Sequence, residues 1–128
     1  MRIIGILIAA SAFALGACAG RGAPIYNVES APITTQKSVN MNDVRTAIIR
    51  AGSGLGWQMQ PEAPGRIKGT LNVRNLMAVI DVTHDTKSYS IKYRDSQGLN
   101  ATDGTIHKNY NGWIQNLDRR IRNELNLL

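Results

Sequence analysis

Arg66-Ile67-Lys68-Gly69-Thr70-Leu71-Asn72-Val73-Arg74, Leu76–Thr83 and Ser88–Asp95 decide how this chain folds. The first run alternates throughout. Ile67, Leu71 and Val73 share one face with Gly69, and Arg66, Lys68, Thr70, Asn72 and Arg74 share the other, which is the two-residue period of a half-buried strand. Leu76–Thr83 is more evenly apolar and reads as a central strand. Ser88–Asp95 alternates again, with Tyr89, Ile91 and Tyr93 inward and Ser90, Lys92 and Arg94 outward. The connectors, of which His84-Asp85-Thr86-Lys87 is one, are hairpin length. They predict an antiparallel meander with one apolar face and one polar, basic face.

Upstream, Trp57-Gln58-Met59-Gln60 alternates, and Pro61-Glu62-Ala63-Pro64-Gly65 is read as a turn. A helix is predicted over Met41–Ala51. Asn40 and Asp43 are spaced as a capping pair, Val39 and Val44 as a hydrophobic staple, and Gly52 as a left-handed stop. Downstream, Ser96–Thr105 reads as a loop. Tyr110, Trp113, Ile114, Leu117, Ile121 and Leu125 then recur at helical spacing, with Ile106 a turn earlier. The expectation is an α+β two-layer sandwich: an antiparallel meander of three or four strands, flanked by an N-terminal and a C-terminal helix packed on one face. Trp57, Tyr89, Tyr93, Tyr110 and Trp113 are expected to supply much of the core.

The N-terminus has another character. Arg2 precedes an apolar run, Ile3–Leu15, too short to span a bilayer, which needs roughly 20 residues. The run ends in Leu15-Gly16-Ala17-Cys18, and Cys18 is the only cysteine, so no internal disulfide can form. This segment resembles a bacterial lipoprotein signal peptide with its lipobox. The resemblance implies diacylglyceryl attachment to the Cys18 sulfur and cleavage before it, with no other cofactor. In enterobacterial-type sorting Asp at the next position favours the inner membrane, so Ala19 implies the outer membrane, with the protein facing the periplasm. The division that follows is a signal peptide at 1–17, a lipidated cysteine and flexible tether at 18–38, and one small domain at 39–128. The tether is rich in Gly, Pro, Ser and Thr; Ile25, Tyr26, Val28 and Ile33 are placed to dock a short extended segment on the domain.

Fifteen basic and nine acidic side chains give +6, and removing Arg2 with the signal leaves +5. For an exported chain this excess points to anionic envelope components and away from nucleic acid. Arg66, Lys68, Arg74, Lys92 and Arg94 form the candidate anionic-partner patch. Like charges on adjacent strands need an offset, which an anionic ligand would supply, as would Asp81 and Asp95.

Catalytic signatures are sparse. Ser53-Gly54-Leu55-Gly56 lacks the Lys-Ser/Thr and the preceding strand of a phosphate loop. Gly52-Ser53-Gly54 is not a nucleophile elbow, and no carboxylate pair stands out. His84, with Asp85 beside it, is the one candidate acid–base position, but Asp81 and His84 alternate to opposite faces of a strand. No catalytic or metal residue is assigned. His107 reads as a cap for the last helix or a surface residue rather than a ligand, and Tyr110 and Trp113 as core anchors rather than a sugar-stacking platform. Tyr89–Tyr93 and Ile106–Asn111 are similar to stretches of small, functionally uncharacterised proteobacterial lipoproteins, which implies no activity. The expected function is a non-enzymatic, membrane-anchored module binding an envelope protein or an anionic envelope polymer. The alternative is an enzyme of cell-envelope metabolism with a site near His84 and Asp85.

Overall fold

The computed structural model describes residues 22–128. These residues form an α+β fold with two helices, a five-stranded antiparallel sheet and a two-stranded ribbon. In chain order the elements are β1 (Ala23–Pro24), β2 (Val28–Pro32), α1 (Met41–Gly54), β3 (Gln58–Ala63), β4 (Arg66–Val73), β5 (Leu76–His84), β6 (Ser88–Gln97), β7 (Thr105–Ile106) and α2 (Lys108–Asn126). The sheet order is β2-β6-β5-β4-β3, and β1 pairs with β7. The meander expected from the alternating runs is thus β3 to β6, with β5 central.

The fifth strand comes from sequence read as tether. β2 pairs with β6 through Val28↔Ile91, Ala31↔Tyr89 and Pro32↔Ser88, with a register shift between Val28 and Ala31. That bulge, with Ser30 at φ 50°, breaks the two-residue alternation that would have marked a strand. Val28 and Ala31 enter the core regardless.

Two boundaries also move. Pro61 lies within β3 rather than in a turn, which is tolerated because β3 is an edge strand with no ladder bond required on its outer side. Gly52 is buried inside α1 instead of ending it, and a Cβ there would run into the Met59 thioether. The left-handed residue is Gly56, at φ 92°. The predicted capping box is present: Asp43 N donates to Asn40 Oδ1 at 2.8 Å and Asn40 N to Asp43 Oδ2 at 3.1 Å.

Cross-strand partners share a sheet face, and two rows define the inner one. Ile67↔Val82↔Ile91 and Gly69↔Ile80↔Tyr93 run across β4, β5 and β6. These side chains join Val44, Ala47, Ile48 and Ala51 of α1 and Tyr110, Ile114, Leu117, Ile121 and Leu125 of α2 in one hydrophobic cluster. Trp57 is buried, whereas Trp113 and Tyr93 are only partly so.

Candidate functional site

At the end of the sheet where β3 turns into β4, a groove of about 500 Å³ opens between Met41, Asn42 and Arg45 of the first turns of α1, residues 61–65 and His84. Its walls are mostly apolar. The local sequence builds them directly: Pro61, Ala63 and Pro64 place rigid, apolar surface on the hairpin, and Asn40 fixes where α1 begins. Gly65, at φ 75°, closes the hairpin onto β5. A Cβ there would sit 2.7 Å from the His84 carbonyl oxygen. The close approach lets His84 N donate to Gly65 O at 2.9 Å. Arg45, the cation among the lining residues, donates from Nη2 to Asn42 Oδ1 at 2.5 Å.

His84 is only 8% exposed, and neither ring nitrogen has a hydrogen-bond partner among the described residues. Burial lowers its pKa from the ordinary imidazole value; Asp85 opposes that shift and Arg45 adds to it. The ring is therefore neutral near pH 7, with one donor and one acceptor; the Asp85 backbone is the polar group nearest to serving it, but makes no well-formed hydrogen bond. An orphaned buried polar group costs about 1–3 kcal/mol.

Asp85 does not pair with that ring. Its Oδ1 accepts from Lys87 N at 2.7 Å and Ser88 N at 2.8 Å, and these two bonds hold its carboxyl below the usual range. The carboxylate shapes the β5–β6 turn. Asp81 lies on the opposite sheet face, opposite Lys68 and Lys92. His84, Asp85 and Asp81 thus do not converge.

The basic strand face is interleaved with acids. The register places Asp81 between Lys68 on β4 and Lys92 on β6. Asp81 Oδ1 is 3.9 Å from Arg66 Nε and 3.1 Å from Arg94 Nη1. Arg94 also reaches Glu62 at 3.0 Å, and Glu62, then Asp81, pushes the guanidinium pKa further up. Lys92 pairs with Glu29 of β2 at 3.7 Å. Arg74 is not on this face: it occupies the β4–β5 turn at φ 58°, at the far end of β4 from Arg66. Asp95 caps Ser96 N at 2.8 Å instead of offsetting a cation. Exposed pairs of this kind contribute about 0–1 kcal/mol each. What they do here is lower the positive charge offered to an anion.

One buried polar cluster escaped sequence reasoning. Tyr89 OH donates to Asp118 Oδ1, and Arg122 Nη2 lies 3.0 Å from Asp118 Oδ2. Burial, then the Asp118 carboxylate, pushes the Tyr89 phenol well above its usual range. The readable signal was an acid at 118, one turn from Ile114 and Ile121 on the apolar stripe, with Arg122 four residues on.

At the start of α2, His107 Nδ1 accepts from Asn109 N at 3.1 Å, the expected cap. Asn111 explains the polar character of that turn: Nδ2 donates to Pro24 O and Oδ1 accepts from Tyr26 N, both at 2.9 Å. Tyr110 is fully buried and stacks edge-on against Tyr93 at 5.7 Å between centroids.

Cys18 lies outside the described residues. Among those described, no helix is long and apolar enough to cross a membrane, and no group of three His, Cys, Asp or Glu is placed to hold a metal. Comparison with family models, curated proteins and solved structures finds no match to this chain.

Proposed function

We propose that the protein is an outer-membrane lipoprotein, anchored through lipid on Cys18 and facing the periplasm. In this reading it acts as a non-enzymatic binding or assembly module of the envelope. The domain is read as a two-layer α+β sandwich with both helices on the inner sheet face. The observation that carries the binding reading is the apolar groove beside a buried imidazole with no partner among the described residues. A partner segment laying apolar side chains over Met41 and Pro64, and bringing a hydrogen-bond group to His84, would gain burial and relieve the orphaned ring.

This favours a protein partner over an anionic polymer. Arg66, Lys92 and Arg94 already face carboxylates, and Arg74 stands apart. It also weighs against the enzyme alternative, because Asp85 is engaged by the turn and leaves His84 without the carboxylate an acid–base pair needs.

Two experiments test the proposal. Cys18→Ala should abolish lipid labelling and release the protein from membranes; continued labelling overturns the anchor. A photo-crosslinker at Ala63 should give a discrete adduct in intact envelopes, lost in Arg45→Glu, while one at Lys68 on the charged sheet face should give none. Adducts from Lys68 alone overturn the groove as the contact surface.

A further inference from the structure

We infer that the corner formed by β1, β7 and the start of α2 is the surface that rests on the phospholipid head-group layer holding the anchor. The inference builds on the proposed lipidation of Cys18. From Ala23 onward the chain is tied to the domain. Ala23 pairs with Ile106 and Pro24 with Thr105, and Ile25 N donates to Gly104 O at 2.9 Å. Asn111 then clamps Pro24 and Tyr26 from α2.

Only Ala19, Gly20 and Arg21 separate Cys18 from Gly22. At no more than ~3.6 Å per residue, that leash reaches at most about 14 Å. A leash running to Ser38 would reach about 70 Å on the same scale. The head-group layer on one side of a bilayer is about 6 Å thick, roughly half the difference between whole-bilayer and hydrocarbon thickness. A lipid on Cys18 therefore holds the domain against the head groups instead of letting it range freely.

The chemistry of the corner fits that contact. Asn100, Thr102, Asp103 and Lys108 are exposed and polar. Tyr26, in the β1–β2 connector next to Ile25 and shared with a surface along α2 that includes Gln115 and Arg119, is an exposed large side chain with an apolar ring and a polar tip, the type favoured at membrane interfaces. The surface suits resting on head groups rather than inserting among acyl chains. It also sets direction. β2 leaves this corner and runs along β6 toward Ser88, so the groove at His84 lies at the opposite end of the sheet. Ten residues of β6 correspond to about 33 Å.

The test uses the full lipidated chain in phosphatidylethanolamine–phosphatidylglycerol vesicles carrying a head-group acceptor dye. A donor is placed at Ala101→Cys or, on the β5–β6 turn, at Lys87→Cys; Cys18 is blocked by its lipid. Transfer from position 101 should exceed that from position 87 by about threefold or more, given a separation of about 30 Å along the strands. A sixteen-residue Gly-Ser insert between Arg21 and Gly22 should level the two. Equal transfer without the insert, or stronger transfer from 87, overturns the orientation when intact mass shows lipid on Cys18. A difference that survives the insert overturns the leash as its cause. An unmodified Cys18 overturns the lipidation reading and the orientation together.

Discussion

His84 and Tyr89 stand opposite each other on β5 and β6, on the same sheet face, and both are buried. Their fates differ. Tyr89 reaches α2 and closes a network with Asp118 and Arg122. His84 faces the groove beside α1 and finds no partner among the described residues. Lack of a partner alone does not set His84 apart, since the fully buried Tyr110 hydroxyl has none among the described residues either; His84 differs in lining a groove. The Tyr89 network fastens α2 to the sheet. The orphaned imidazole is where an outside group would be bound.

Mutations sharpen that contrast. The largest effect is expected for Asp118→Ala, which leaves the Tyr89 hydroxyl buried without an acceptor and should cost about 2–3 kcal/mol in urea unfolding. Arg122 is largely exposed and reaches water when its partner is lost, which keeps the cost below that of a fully buried pair. Tyr89→Phe should cost about 1–1.5 kcal/mol, since Asp118 keeps Arg122. His84→Leu should leave stability unchanged or raise it by up to about 1 kcal/mol, because it removes an unpaired group. A loss as large as that of Asp118→Ala would place His84 with the structural class.

The pH dependence separates the same two residues. The folded pKa of His84 lies below the ordinary value near 6.5, so the unfolded chain takes up the proton first as pH falls. The stability held by the neutral ring is complete above about pH 6.5 and declines as pH drops below it. His84→Leu should flatten that slope, whereas Tyr89→Phe should leave it. The smallest effect is expected on the charged face: Lys92→Ala should change the unfolding free energy by less than about 0.5 kcal/mol.

The meander and both helices were legible because Ile67–Val73, Tyr89–Tyr93 and Tyr110–Leu125 keep unbroken periods. β2 was legible only as an extended segment that docks through Val28; its bulge and its Pro32 conceal the strand pairing with β6. β1 and β7 are two residues each and exist through pairing with one another, which no local pattern announces. Of the site, His84 was singled out from its residue type. The groove around it depends on Gly65 bringing a hairpin against β5, a contact between segments about twenty residues apart in the chain. On the charged face Asp81 was legible as an offset, whereas Arg74 was misplaced because it falls in the β4–β5 turn, and the Lys68–Asp81–Lys92 row follows only from register.

The groove reading turns on His84 being a neutral, buried imidazole without an internal partner. The most direct measurement is a pH titration of its ring by nitrogen–proton correlation NMR, with His107 as the internal reference for a ring that accepts a backbone hydrogen bond. His84 should titrate below the ordinary value near 6.5 and show no well-formed hydrogen bond at either nitrogen. Titration at or above that value, or a nitrogen shift marking a standing internal hydrogen bond, would contradict the groove reading.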